Sequence, residues 1–223
     1  MPIAGKGMLL TSMDIDPEDE ADFNRWYDCE HLEERVAIDG FLEARRYVAH
    51  QGSPKYLFLY STAKLDVLDS PAYRARLAGP TAWSKKTMAR FKNMVRAVAR
   101  ITVSRGVGRG AALGVIRLRP QAGSEDTFRV ELALKLDPAG LDGIISMHLI
   151  ESDARLSGPT PELPAAAGAT DWFVLIDGTS VGAVSSLMNT RFESFTAPMR
   201  ATLVSRGIYN LMWDLAKSDI ALN

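Results

Sequence analysis

Two short segments are apolar at every position, and they constrain the fold more than any other feature of the sequence. Residues 56–60 read YLFLY, and residues 172–176 read WFVLI. Successive side chains of a β-strand point to opposite faces, so a strand with one solvent-exposed face alternates apolar and polar residues. These two strands are therefore expected to be buried on both faces, which requires a covering layer on each side of their sheet.

The same order of elements is predicted twice along the 223 residues. The first pass predicts strand 7–14, helix 17–38, strands 41–50 and 56–61, an interrupted helix over 66–77 and 81–94, and strand 95–104. The second pass predicts strand 111–119, a short helical or extended piece at 126–136, strands 144–151 and 172–177, a broken helix over 179–204 containing Pro198, and strand 208–217. Each pass is a βαββαβ unit of the ferredoxin-like type.

These units define two halves, residues 1–106 and 107–223, joined by a linker that contains Gly106, Gly108 and Gly110. A single ferredoxin-like unit covers one face of its sheet with helices and leaves the other face open. The second half supplies the missing cover within the same chain. We therefore predict an α+β fold in which two tandem βαββαβ units pack sheet to sheet with their helices outside. Such a chain can be a monomer that is itself a pseudo-dimer, or a homodimer that associates further through strand edges.

The amino-acid sequence of the first half resembles that of the dimeric α/β-barrel superfamily, and within it that of the EthD-like proteins. The resembling stretches are 23–35 (FNRWYDCEHLEER) and 39–47 (DGFLEARRY). In that family the helix tends to end in His-x-Pro and a Pro-Gly-aromatic motif opens the next strand, whereas this chain has Glu33 and Asp39 at those proline positions. The resemblance implies the barrel fold just described. Members include cofactor-free isomerases, cyclases and monooxygenases, as well as haem enzymes.

His31 is the candidate for proton transfer. On an α-helix, Tyr27, Asp28 and Arg35 lie near it. The carboxylate of Asp28 would orient one ring nitrogen of His31 and raise its basicity, leaving the other nitrogen to move a proton. Trp26 and Tyr27 lie on one side of the same helix and would line an aromatic cleft against the sheet. The alternative is a structural histidine that is hydrogen-bonded to backbone at the helix end.

Further candidate binding residues surround this predicted cleft. Glu30 falls on the apolar arc of the helix, where it would serve as a general acid or pair with Arg45 or Arg46 of the neighbouring strand. Tyr60 would add a hydroxyl from the sheet, or simply fill the core. Arg96 and Arg100, on the same side of the closing strand, would either anchor an anionic substrate or protect an exposed edge from sheet-to-sheet aggregation.

Composition excludes several classes of site and partner. The chain has one cysteine, Cys29, and three histidines on separate predicted elements, so we expect neither a disulfide framework nor a metal site. Its net charge is −1 and its basic residues are spread over several elements, which argues against nucleic acid as a partner. We also expect a cytoplasmic protein, because no apolar run approaches the ~20 residues of a membrane helix and no secretory signal is recognisable.

Together these features predict a cofactor-independent enzyme acting on a small aromatic or organic-acid substrate. Proton transfer by His31, assisted by Asp28, would drive an isomerisation, cyclisation or lactone rearrangement. Trp26, Tyr27, Glu30 and Tyr60 would shape the binding site, with Arg45 or Arg100 holding an anionic group. Two alternatives stay open: a non-catalytic small-molecule-binding or accessory protein, and a haem-dependent or cofactor-free monooxygenase.

Overall fold

The computed structural model describes residues 3–158, 167–193 and 200–220. Elements of the first half are β1 (Gly7–Asp14), α1 (Glu20–Trp26), a π-helical turn (Tyr27–His31), α2 (Leu32–Val36), β2 (Phe41–Gln51), β3 (Tyr56–Thr62), a 3₁₀ turn (Leu65–Asp69), α3 (Pro71–Ala78), α4 (Ala82–Met88) and β4 (Lys92–Gly106). Elements of the second half are β5 (Ala112–Pro120), α5 (Glu125–Lys135), β6 (Ile144–Ser152), β7 (Trp172–Gly178), α6 (Val181–Thr190), β8 (Ala201–Ala216) and α7 (Lys217–Ile220).

The eight strands form a closed barrel in the order β1-β3-β2-β8-β5-β7-β6-β4. Read by halves, β4-β1-β3-β2 is repeated as β8-β5-β7-β6, which is the strand order of a ferredoxin-like sheet in each half. The halves join at two antiparallel seams, β2 with β8 and β4 with β6. The predicted α+β fold of two βαββαβ units forming an intramolecular α/β-barrel is therefore confirmed, with the edges of the facing sheets hydrogen-bonded to one another.

The barrel explains the two fully apolar strands. From β3, Leu57 and Leu59 point into the barrel, where they pack with Leu175 of the other half. Phe58 and Tyr60 point outward and pack beneath the helices of their own half. Each face of the strand thus enters a different hydrophobic core, one inside the barrel and one under the helices. Burial of both faces is what makes every position of the strand apolar.

Helix boundaries in the second half differ from the prediction. The expected broken helix over 179–204 is helical only from Val181 to Thr190, and the last strand begins at Ala201 instead of 208. Pro198 lies outside the described residues. Thr202 and Leu203 pair with the end of β5, so barrel pairing extends β8 over a stretch whose spacing had suggested a helix. None of the helices in the described ranges has the length and apolarity needed to cross a bilayer.

In the first half, the predicted helix at 17–38 begins at Glu20 and ends at Val36, and it changes to π geometry between Tyr27 and His31. The interrupted helix predicted over 66–94 is a 3₁₀ turn followed by two short α-helices, and β4 already begins at Lys92. These short helices stand over the outer face of the first-half sheet, where they help to enclose a cleft.

The junction between the halves offers a matched pair of substitutions. A Cβ on Gly110 would lie 1.9 Å from the carbonyl oxygen of Gly178, whereas a Cβ on Gly108 would make an ordinary 3.4 Å contact with Ile145. We predict that Gly110→Ala lowers the free energy of unfolding by about 2 kcal/mol or more, because backbone must move, while Gly108→Ala changes it by less than about 0.5 kcal/mol. Urea denaturation of both variants measures this; equal stabilities would contradict the close junction.

Candidate functional site

A π turn fixes the position of His31. The backbone N–H of Leu32 donates to the carbonyl of Tyr27, five residues back, instead of the four of an α-helix. The imidazole of His31 stacks on the indole of Trp26, with ring centroids 4.1 Å apart and an interplanar angle of 29°. In a regular α-helix, residues five apart lie ~140° apart around the axis and could not stack. The extra residue of the turn therefore brings Trp26 and His31 together.

His31 lies in a narrow cleft between this broken helix and the outer face of the first-half sheet. The cleft has a free volume of about 60 Å³, which is room for a few water molecules, and it opens to solvent. Its lining side chains come from the sheet, the helix and the short helices above: Leu9, Thr11, Met13, Trp26, Tyr27, His31, Arg35, Tyr60, Tyr73, Leu77, Met88, Phe91, Met94 and Arg96. This is the location expected from the sequence, and it brings Trp26, Tyr27, His31 and Tyr60 together.

The imidazole of His31 is buried and neutral at physiological pH. The residue as a whole is 8% exposed. Burial holds the pKa of the imidazole well below 6.5, and the nearby positive charge of Arg35 lowers it further. Nδ1 has no hydrogen-bond partner among the described residues. It lies 4.0 Å from Oε2 of Glu34, too far for a hydrogen bond. The ring is thus not tied to backbone at the helix end, as the structural alternative required.

Two tyrosines of the cleft stay protonated. Burial raises the pKa of Tyr27 and of Tyr60 well above 10. Tyr27 stacks on Phe58 at a centroid distance of 3.8 Å, which fixes its ring. The hydroxyl of Tyr60 is buried and has no hydrogen-bond partner within 3.5 Å in the described structure, and the nearby hydroxyl of Tyr27 also acts on its pKa. Neutral hydroxyls of this kind can donate hydrogen bonds to a ligand.

Two buried arginines line the same cleft. Arg35 is 5% exposed and Arg96 is 4% exposed. Nη1 of Arg96 donates to the carbonyl of Leu156 at 2.8 Å, whereas Nη1 of Arg35 has no partner in the described ranges. The spacing of Arg35, four residues after His31, was the available sequence signal for its position in the cleft.

Asp28 does not contact His31. Its Oδ1 accepts hydrogen bonds from Nη1 of Arg46 at 2.5 Å and from the indole N–H of Trp213 at 2.9 Å. The side chain is 48% exposed and bridges the first helix to strands of both halves. The expected placement of Asp28 beside His31 assumed α-helical geometry through residue 31, which the π turn interrupts. Glu34 is the carboxylate nearest the imidazole.

Glu30 holds two helices together instead of pairing with Arg45 or Arg46. Its Oε1 accepts from the indole N–H of Trp26 at 3.1 Å, from Thr81 Oγ1 at 2.7 Å and from Ser84 Oγ at 3.1 Å. Thr81 and Ser84 stand at the start of α4. This carboxylate therefore fixes the indole on which His31 stacks, and acts on the cleft through Trp26.

Arg45 and Arg100 lie outside the cleft. Arg45 points into the barrel, where its guanidinium lies 3.5 Å from Oδ1 of Asp177 and 3.3 Å from Oε1 of Glu43. Arg100 is exposed on β4 and pairs with Asp153 at 3.2 Å. Arg96, four residues earlier on the same face of β4, is the arginine that reaches the cleft.

The other two histidines, His50 and His148, lie outside the cleft. Both ring nitrogens of His148 lie 3.0 Å from serine hydroxyls, Ser146 on one side and Ser104 on the other, in the fully buried barrel interior. His50 is exposed near the β2–β3 hairpin. In the described part of the chain, no group of three or more histidine, cysteine, aspartate or glutamate side chains could hold a metal ion.

Comparisons with known proteins identify the fold. No family model matches the chain, and no curated protein matches its sequence. Among solved structures, an anthrone oxidase-like protein superposes with a TM-score of 0.62 at 10% identity, covering 96% of this chain and 94% of that one. Monooxygenase candidates from Fusobacterium nucleatum and Lactobacillus acidophilus superpose with TM-scores of 0.60 and 0.57, at 7% and 11% identity. These cover 96% of this chain and 96% and 97% of their own.

At such identities the likeness shows a shared fold. It agrees with the barrel architecture that the resemblance of the first half implied. The chemistry has to be argued from the cleft itself.

The lowered pKa of His31 predicts a pH-dependent stability. The unfolded histidine titrates near 6.5, so the unfolded state binds more protons than the folded state just below that pH. Stability from this group is therefore complete above about pH 6.5 and is lost as the pH falls. We expect wild type to lose more unfolding free energy between pH 7 and pH 5 than His31→Gln does. Urea denaturation at both pH values measures it; parallel losses would contradict a buried neutral imidazole.

Proposed function

We propose that this protein is a cofactor-independent enzyme that transfers a proton on a small aromatic or otherwise enolisable substrate bound in the cleft. One observation carries the proposal: His31 presents a neutral, buried imidazole without a hydrogen-bond partner among the described residues, in a cleft lined mainly by aromatic and apolar side chains. A neutral imidazole can accept a proton directly, and a desolvated site strengthens its interactions with a bound substrate.

The proposed step breaks an acidic C–H or O–H bond of the substrate. The proton goes to His31, and the electron pair stays on the substrate as an enolate or phenolate. Nδ1 faces Glu34 at 4.0 Å, so Nε2 is the nitrogen assigned to the substrate. A small closing movement would let Nδ1–H donate to Glu34 as positive charge develops on the ring. Return of the proton to a different atom completes an isomerisation, cyclisation or lactone rearrangement.

Trp26 and Glu34 act as positioning residues in this proposal. The indole of Trp26 holds the plane of the imidazole, and Glu30 in turn holds the indole. Tyr27 contacts the imidazole edge-on, with ring centroids 5.2 Å apart, and Tyr60 lines the cleft from the sheet. Asp28, which the sequence suggested as the partner of His31, has no part in the step because its carboxylate is engaged with Arg46 and Trp213.

A cofactor-free monooxygenase is the second candidate, and it would begin with the same proton transfer. The names of the structurally similar proteins, an anthrone oxidase-like protein and monooxygenase candidates, favour it. With an activated methylene group as substrate, the resulting carbanion would be oxidised by O₂. One oxygen atom would become the new carbonyl oxygen and the other would leave as water. The two candidates differ only in the fate of the anion.

The remaining interpretations have less support. In a non-catalytic binding protein, we expect His31 to be hydrogen-bonded to backbone and surrounded only by apolar side chains. Its cleft instead contains Tyr27, Tyr60, Arg35 and Arg96. A haem protein would need a wide slot beside an axial histidine. The narrow cleft, with Trp26 stacked on one face of His31, does not fit that requirement. We also interpret the repeated strand order as an internal duplication of an EthD-like unit.

Deuterium exchange tests the proton transfer without knowledge of the natural substrate. With anthrone in D₂O under nitrogen, we expect wild type to accelerate exchange at the methylene carbon, measured by mass spectrometry. His31→Gln should slow the catalysed exchange by about 10²–10⁴-fold, the usual contribution of a general base. His50→Gln, the same change at an exposed histidine, should leave it unaltered. Full exchange in His31→Gln would refute the assignment of the base.

The acid limb of the pH profile gives a separate prediction. Since protonated His31 cannot accept a proton and burial lowers its pKa, kcat/KM for exchange should persist below pH 6.5 before it declines. A profile that already falls above pH 6.5 would be inconsistent with this base. Admitting oxygen then separates the two candidates, because only the monooxygenase converts anthrone to anthraquinone faster than buffer does.

A further inference from the structure

Three buried polar atoms without partners lie around the same cleft. Nine such side-chain atoms occur in the described residues, and three belong to cleft-lining residues: Nδ1 of His31, Nη1 of Arg35 and the hydroxyl oxygen of Tyr60. Buried polar groups are normally hydrogen-bonded, and an exception often marks a site for something else. His31 has a place in the proposed proton transfer. Arg35 and Tyr60 are left unexplained by it.

We propose that Arg35 and Tyr60 form an oxyanion-binding site, and that the ligand class is a small aromatic monoanion, a carboxylate or a phenolate. The inference rests on the proposed function only in placing the substrate in this cleft. Arg35 would pair with the anionic oxygen, and the hydroxyl of Tyr60 would donate a hydrogen bond to it.

The charge of the cleft requires an anion. A guanidinium stays protonated even when buried, and Arg35 has no ion pair with any carboxylate of the described chain. The adjacent Glu34 is paired instead with Arg76, at 3.6 Å. Arg96 adds a second positive charge to the same lining, and its described hydrogen bond goes to the uncharged carbonyl of Leu156. A buried cation in this condition is stabilised when a ligand brings the opposite charge.

The rest of the lining fits a flat apolar body carrying one charge. Trp26, Tyr73 and Phe91 supply aromatic surface, and Met88 and Met94 supply flexible apolar surface. Tyr60 is suited to the anionic end because burial keeps its hydroxyl protonated, and a protonated hydroxyl donates to an oxyanion. The guanidinium of Arg35 and the hydroxyl of Tyr60 line the same cleft, and together they match a single anionic oxygen or a carboxylate.

Calorimetric titration with 2-naphthoate and its uncharged analogue 2-naphthamide tests the charge preference. Wild type should bind naphthoate at least about tenfold more tightly than naphthamide, the scale of one charge-assisted contact. Arg35→Met should abolish this preference while still binding naphthamide, which also shows that its cleft is intact. Tyr60→Phe should weaken naphthoate binding about threefold to tenfold. Arg100→Met removes the same charge outside the cleft and should change nothing.

The Tm of each variant distinguishes loss of the binding site from loss of folding. Removing a buried cation that lacks an ion pair should leave the Tm of Arg35→Met equal to or above that of wild type, and naphthoate should raise the Tm of wild type more than that of Arg35→Met. Arg35→Lys, which keeps the charge but not the guanidinium geometry, should retain part of the preference. A wild type without preference, or an Arg35→Met protein that keeps it, would overturn the proposal.

The two proposals can fail separately. His31→Gln should keep the preference for naphthoate and lose deuterium exchange. If it keeps both, the proton-transfer function fails and the oxyanion site stands. If Arg35→Met binds naphthoate like wild type while His31→Gln has lost exchange, the oxyanion site fails and the proton transfer stands.

Discussion

Burial of both faces of β3 and β7 is the constraint on which the architecture depends. A helix layer can cover only one side of a ferredoxin-like sheet, so the inward side chains such as Leu57 and Leu175 need a second sheet. Because both sheets belong to one chain, the strands of each half can also meet at their edges. The seams of β2 with β8 and of β4 with β6 follow from that arrangement and close the barrel.

Closure of the barrel leaves the outer layer as the place for a cleft. The inside is filled with packed side chains, whereas the first-half helices are short and broken and do not seal the sheet completely. In the second half, α6 packs so tightly on β5 that a Cβ on Gly114 would lie 2.7 Å from Val184. Buried polar atoms without partners cost stability. The first half carries several of them around one cleft, which is the pattern expected where function opposes stability.

Local sequence patterns predicted much of the fold and part of the site. The strands and the aromatic residues around His31 followed from periodicity, and Trp26, Tyr27 and Tyr60 do line the cleft. The position of the Asp28 side chain could not be predicted, because nothing in the local residue spacing indicated a π turn. Arg45 was expected near the cleft, but both faces of β2 are buried, so residue alternation could not distinguish the barrel interior from the cleft.

Arg100 illustrates a different limit. It shares a face of β4 with Arg96, yet four residues along a strand span ~13 Å, which is enough to carry Arg100 past the end of the cleft. The helices that enclose the cleft determine which of the two arginines it contains. That information is tertiary, and it depends on where α3 and α4 end.

The π turn at Tyr27–His31 has an evolutionary consequence. Such a turn differs from ordinary helix by one inserted residue. Loss of a single codon within it would restore α geometry and swing the imidazole away from the indole, with the barrel itself left unchanged. A lineage carrying this fold could therefore gain or lose the stack of His31 on Trp26 through one small deletion or insertion.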